Sequence, residues 1–254
     1  MANFLRFALV LFLASGARAE WAVTASETER AAVAGVEHRR IILAESETAT
    51  PAKLDLALFS TKSATLRVID NPTGADDLAA VMLRTRGMAG VNGGYFDPQD
   101  APLGLMISDG KLIAPLRKAR LLSGVIVVTK GRVELLRYAE YSSRKTATAA
   151  LQCGPFLVDG GNVVPGLNDT RSARRTFILA GGGDRVAVGF CSRVTLAELG
   201  DMLATPRIMP ELKVQRALNL DGGSSSAFWF AGEGGPVSIR EQKTVRNFVV
   251  VVPK

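Results

Sequence analysis

Ala217–Trp229, ALNLDGGSSSAFW, is the stretch whose reading decides this chain. An apolar approach through Ala217, Leu218 and Leu220 breaks off at Asp221. Gly222-Gly223 and Ser224-Ser225-Ser226 follow, and the chain turns apolar again at Ala227-Phe228-Trp229. The pattern reads as a short buried strand that leaves the core through a carboxylate and a Gly-Gly turn. Glycines let backbone N–H groups converge on a ligand and form an anion-binding concavity, around which Asn219, Asp221 and the serines supply acceptors and hydroxyl donors. Taken alone, Gly-Gly-Ser is more simply a hairpin tip with its serines outside. A second stretch of the same design argues against that simpler reading. In AGVNGGYFD, Ala89–Asp97, an apolar approach again ends in Asn92, then Gly93-Gly94, then aromatics. Two such corners point to one site built from both.

The corners Asn92-Gly93-Gly94-Tyr95-Phe96 and Asn219-Leu220-Asp221-Gly222-Gly223-Ser224 resemble the two signature motifs of the phosphodiester glycosidases. Between them, Arg175-Thr176 in RRTFILAGGGDRVAVGF is similar to the Arg-Thr pair that opens a strand in that family. Arg246-Asn247, ahead of Phe248–Val252, resembles its closing Arg. The likeness runs from Val36 to the C-terminus. Leu179 and Ser224 depart from it, since the family often carries glycine at both places. Neither change removes a charged group, so the departures bear on substrate fit rather than on fold. The resemblance implies hydrolysis of a sugar-1-phosphodiester to free sugar and a phosphomonoester, with a glycosyl-phosphodiester or other anionic glycan as substrate and with neither cofactor nor metal.

The residue types suit that chemistry. Cleaving the anomeric C–O bond creates an oxocarbenium-like centre, and a phosphomonoester leaves as a stable anion without a strong general acid. Three things are then needed: cations for the phosphate, a carboxylate near the anomeric carbon, and polar groups that hold the sugar. Arg175 and Arg246 fit the first, because a guanidinium fork matches phosphate oxygens, with help expected from the Gly93-Gly94 and Gly222-Gly223 amides. Asp221 is the first choice for the carboxylate, ahead of Asp97. Asn92, Thr176, Asn219 and Ser224 are expected to orient the substrate, and Tyr95 or Phe96 to stack on a sugar ring. The structural alternative is that the arginines pair with acids at strand ends and Asp221 caps its own turn.

Outside the motifs, the chain has 254 residues, 47% hydrophobic and 22% charged, an ordinary globular composition. Met1–Ala19 reads as a secretory signal: Arg6, the apolar run Phe7–Ala14, and Ala17-Arg18-Ala19 at the cleavage spacing. The mature domain is then Glu20–Lys254, periplasmic or secreted, with no later run long enough to span a membrane. Dropping Arg6 and Arg18 lowers the net charge from +7 to +5. The basic residues are dispersed rather than gathered with aromatics, which argues against nucleic acid as a partner. Cys153 and Cys191 read equally well as one disulfide or as two buried thiols.

The chain between the corners is a series of strand pairs. Turn signals stand at Asp109-Gly110, Lys130-Gly131-Arg132, Asp159–Asn162 and Gly181–Asp184. Asp76–Leu83 and the segment from Thr195 with its capping-box partner Glu198 read as helices. Glu20–Val36 is left open between a short helix and an arm. The whole reads as one mixed α/β (α+β) domain, strand-rich, with mixed sheets and a few packing helices. A serine hydrolase using Ser224–Ser226 remains as a further alternative, and it demands that His38, the single histidine, serve as base. A glycan-binding protein without catalysis is the other.

Overall fold

Alternation of apolar and polar residues builds strands, and two-residue turns return most of them on themselves. The computed structural model describes residues 21–32, 35–45, 50–143 and 146–254; the expected signal segment lies outside the described residues. The first sheet joins β1 (Trp21–Arg30), β2 (Val36–Glu45), β3 (Ala52–Ser60), β14 (Arg185–Val194), β13 (Ala173–Ala180), β15 (Arg216–Asn219), β11 (Phe156–Asp159) and β12 (Asn162–Val163), in that order. The second runs β7 (Lys111–Ala114), β6 (Met106–Ser108), β10 (Ala149–Cys153), β8 (Gly124–Thr129), β9 (Arg132–Arg137). The third runs β17 (Gly235–Ile239), β16 (Phe228–Gly232), β5 (Ala89–Asn92), β18 (Asn247–Pro253), β4 (Ala64–Asp70).

Every strand pair in these sheets is antiparallel. The strand-rich expectation holds, while the mixed α/β (α+β) class and the mixed sheets are corrected to a mostly β fold. Parallel neighbours need long crossover connections, usually helical, and the described residues contain only two α-helices. The turn signals hold: Asp109-Gly110 and Lys130-Gly131 both adopt positive φ, as the hairpin turn between twisted strands requires. The open segment after residue 20 is β1, an exposed edge strand paired along β2.

The three sheets meet on one core. In β18, Val249 and Val251 point into it with Ile126, Val128, Leu218, Phe228 and Phe230, while Phe248 and Val250 point outward. Helix α1 (Leu78–Thr85) covers that outer face through Leu78, Val81 and Met82. Its Asp77 accepts the Ala80 amide at 2.8 Å as N-cap. Helix α2 (Leu196–Ala204) covers the far face of the eight-stranded sheet through Leu199, Met202 and Leu203. Both halves of the Thr195/Glu198 capping box are formed. Among the described residues no helix is long and apolar enough to cross a membrane.

Cys153 and Cys191 are free buried thiols packed in different clusters, one in the shared core and one under α2. His38 is buried between the rings of Phe228 and Phe230, and its Nε2 lies 2.9 Å from Asp55 Oδ1. Its other ring nitrogen, Nδ1, lies 4.0 Å from Glu29 Oε2, and among the described residues neither the Ser225 nor the Ser226 hydroxyl is bonded to the ring, so the serine-hydrolase reading finds no Ser–His pair there.

Candidate active site

The two Gly-Gly corners sit at the same end of the sheets because β5 and β15 both stop there, at Asn92 and Asn219, while β13 and β18 start there. Asn92 joins them. It is wholly buried, and both ends of its amide are bonded. Its Oδ1 accepts from Thr176 Oγ1 at 2.7 Å and from the Ala227 amide at 3.0 Å, and its Nδ2 donates to the Asp221 carbonyl at 2.8 Å. The Asp221 amide in turn donates to the Gly93 carbonyl at 3.0 Å. Asn92 therefore locks one corner to the other, and its complete burial keeps it away from a substrate.

Gly93 and Gly94 play a similar part. The Gly93 amide donates to the Asn247 carbonyl at 2.8 Å and the Gly94 amide to Asn247 Oδ1 at 2.7 Å. A β-carbon on Gly93 would stand 2.0 Å from that oxygen, so glycine is required by close approach. These amides, expected to face a phosphate, are spent on Asn247. A layer below, Asn219 Nδ2 donates to the Gly154 carbonyl at 3.0 Å and to Tyr95 Oη at 3.1 Å, and Tyr95 Oη donates to the same carbonyl at 2.6 Å. Asn219 and Tyr95 thus brace the floor of the corner.

Asp221 is half-buried at the surface of this frame. Burial pushes its carboxyl above the usual carboxylate range; Ser225, Lys243 and the Gly222 amide, which reaches Oδ1 at 2.9 Å, pull the other way. Arg175 borders the same corner: its Nη1 lies 3.9 Å from where a β-carbon on Gly222 would be. It is buried, with Nε donating to the Val194 carbonyl at 2.9 Å and Nη2 to the Arg171 carbonyl. No carboxylate pairs with it among the described residues. Burial of this uncompensated charge lowers its pKa, and the nearby Tyr95 hydroxyl feels both Arg175 and Asp221.

The remaining candidates are placed as follows. Thr176 is buried and holds Asn92, while Gly222, Gly223 and Ser224 form the open lip beside Asp221. Arg246 is buried in an ion pair with Asp70, so its charge is already answered. Asp97 Oδ1 accepts the Gln99 and Ala101 amides, both at 2.9 Å, and stabilises its own turn. Phe96 is half-buried under Lys243, whose Nζ lies 4.8 Å from the ring centroid. Lys243 was not legible as a site residue. It stands in the polar run Glu241–Thr244, and the bond from the Gln242 amide to the Ser224 carbonyl, 2.7 Å, brings that run to the lip. A groove of about 660 Å³ lined by Arg30, Glu37, Phe59, Arg185 and Glu233 holds none of these groups.

A carboxylate whose pKa burial raises thus shares its corner with Lys243, which sits over an aromatic ring, and with the buried guanidinium of Arg175 beside Gly222. The phosphodiester glycosidase family pattern matches residues 85–252. Among solved structures, the chain is similar to the catalytic domain of zebrafish N-acetylglucosamine-1-phosphodiester alpha-N-acetylglucosaminidase, auto-inhibited by its pro-peptide. The TM-score is 0.67 at 15% identity, over 90% of this chain and 88% of that one. It is also similar to a hypothetical protein from Synechocystis, with TM-score 0.59 at 16% identity over 87% of this chain and 62% of that one. A putative exported protein from Burkholderia pseudomallei aligns with TM-score 0.57 at 13% identity, over 82% and 75% of the two chains. No curated protein sequence matches.

Proposed function

The chain belongs to the phosphodiester glycosidase family, and from that premise we propose that it is an exported hydrolase that splits a sugar-1-phosphodiester into free sugar and a phosphomonoester. The observation that carries this reading is that half-buried Asp221 and Arg175, a buried guanidinium held by backbone carbonyls instead of by an acid, border the same Gly222 corner. Tethering through carbonyls leaves the positive charge whole and aims it at the lip, where an anion replaces lost hydration.

In this mechanism Arg175 and Lys243 hold the phosphate, and Phe96 carries the sugar ring. The Asp221 carboxylate stands against the anomeric carbon, stabilises the oxocarbenium-like charge and takes the proton of the attacking water. Asn92, Thr176, Gly93 and Asn247 fix the position of Asp221 without touching substrate.

The test is a panel of sugar-1-phosphodiesters with matched plain glycosides. Sugar and phosphomonoester are expected from the diesters only. Arg175→Ala should lower kcat/KM on them about 100-fold, the scale of one lost charge-assisted donor in a dry site. A fluorophosphonate that labels activated serines should leave activity intact. Cleavage of plain glycosides at equal rate would overturn the reading, and binding without turnover across the panel would favour a glycan-binding role.

Export makes a separate prediction. Protein recovered from the cell envelope should begin at Glu20 on N-terminal sequencing. An intact Met1 on cytoplasmic protein would refute it.

A further inference from the structure

We infer that the irregular loop between β7 and β8 is a polyanion-binding rim, and that the substrate is an anionic glycan chain continuing past the scissile phosphate; this rests on the hydrolase reading above. The loop is clamped from beneath by Gln152 of β10, which is 2% exposed. Its Oε1 accepts the Leu105 and Arg117 amides, both at 3.0 Å, and its Nε2 donates to the Arg117 carbonyl at 2.6 Å and the Leu122 carbonyl at 3.0 Å. A buried amide with every capacity used fixes the backbone at both Arg117 and Leu122. The Ser123 hydroxyl adds a third anchor by accepting the Phe156 amide at 3.0 Å.

Between the clamp points the side chains do the opposite. Arg117, Lys118, Arg120 and Leu121 are all exposed, and the three cations have no carboxylate partner among the described residues. No acidic residue occurs from Gly110 to Val133 to answer them. An ordinary solvated loop does not need a rigid buried clamp, whereas a fixed array of charges loses little freedom when a polyanion binds.

The array adjoins the site. The Leu121 carbonyl lies 2.4 Å from where a β-carbon on Gly154 would stand. Gly154 is the residue whose carbonyl receives both Tyr95 and Asn219. Through that floor the loop connects to Tyr95, whose hydroxyl feels both Asp221 and Arg175. A small diester occupies Arg175 and Lys243 alone; a chain bearing further phosphates or carboxylates runs on across Arg117, Lys118 and Arg120.

The experiment uses the full chain and a variant carrying Arg117→Gln, Lys118→Gln and Arg120→Gln, whose Tm should match the parent because all three groups are exposed. Two diesters of the same sugar are compared, one with a methyl aglycone and one with an oligomeric anionic glycan. For the charged chain KM should rise about tenfold or more with kcat unchanged, and for the methyl diester both should stay within about twofold, since exposed charges act through complementary attraction. A heparin oligosaccharide, titrated calorimetrically into the Asp221→Asn background, supplies a readout free of turnover. Its affinity should fall by a similar factor, and its dependence on salt should flatten. Equal kinetics on both diesters together with unchanged heparin binding would overturn the rim while leaving the hydrolase intact. Loop-dependent heparin binding without cleavage of either diester would support the rim and remove the hydrolase reading.

Discussion

Asp221→Asn should cut turnover on a sugar-1-phosphodiester by at least about a thousandfold while leaving the protein as stable as its parent at neutral pH, or more so. The substitution keeps the shape and the oxygen that accepts the Gly222 amide, and it removes the charge that the reaction uses. The stability half follows from the same burial. Because the folded state raises the Asp221 pKa above its ordinary value of 3.8, it favours the protonated carboxyl. That contribution is fully present below the unfolded value and is lost as pH rises through the folded one. An asparagine is neutral at every pH, so the variant keeps what the wild type loses. Melts across pH should show the variant's Tm higher by about 2 °C or more at neutral pH, with the gap closing in acid. Undiminished turnover in the folded variant would remove Asp221 from the chemistry. A fall in Tm at neutral pH would show that its charge is held by more than burial allows.

Asn92→Ala should be the most damaging change to structure and activity together. It strips partners from the Ala227 amide, the Thr176 hydroxyl and the Asp221 carbonyl at a site with no solvent access. Each buried polar group left alone costs about 1–3 kcal/mol. Tm should therefore drop by about 10 °C. In the protein that remains folded at low temperature, kcat should fall about 100-fold or more with KM nearly unchanged, because Asn92 positions Asp221 and does not touch substrate. Asn92→Asp sharpens the test, since it keeps the volume but sets an oxygen against the Asp221 carbonyl. A raised KM with native Tm and native kcat would show instead that the amide contacts the sugar.

The corners were legible because their glycines and polar residues interrupt apolar strands, and the hairpins because Asp109-Gly110 and Lys130-Gly131 demand the backbone they adopt. What those residues do was less legible. Asn92, Gly93 and Gly94 look like ligand groups in sequence, yet their donors are consumed by Asp221 and Asn247, partners more than 100 positions away. Arg246 and Arg175 look equivalent until Asp70 is seen to pair with one while, among the described residues, no acid forms an ion pair with the other. Lys243 carries no local signal at all. The sheet class was misjudged for a related reason: the period of a strand says nothing about the direction of its neighbour.

The order of the third sheet has a consequence for how the protein comes into being. Strand β5, which ends in Asn92, has only β16 and β18 as hydrogen-bonded neighbours, and both come from the last stretch of sequence, after Ala227. Without that stretch, residues 89–92 have no sheet to join, and the corner they carry cannot close on Asp221. Such distant pairings form slowly, since a long loop must be closed before any contact rewards it. A chain cut before Asn247 should therefore show no cleavage in the diester assay. The corner is complete only with Phe248–Val251 in place between β4 and β5, so a refolding assay on a Trp21→Phe variant should see the fluorescence of buried Trp229 settle with, and never after, any recovery of turnover.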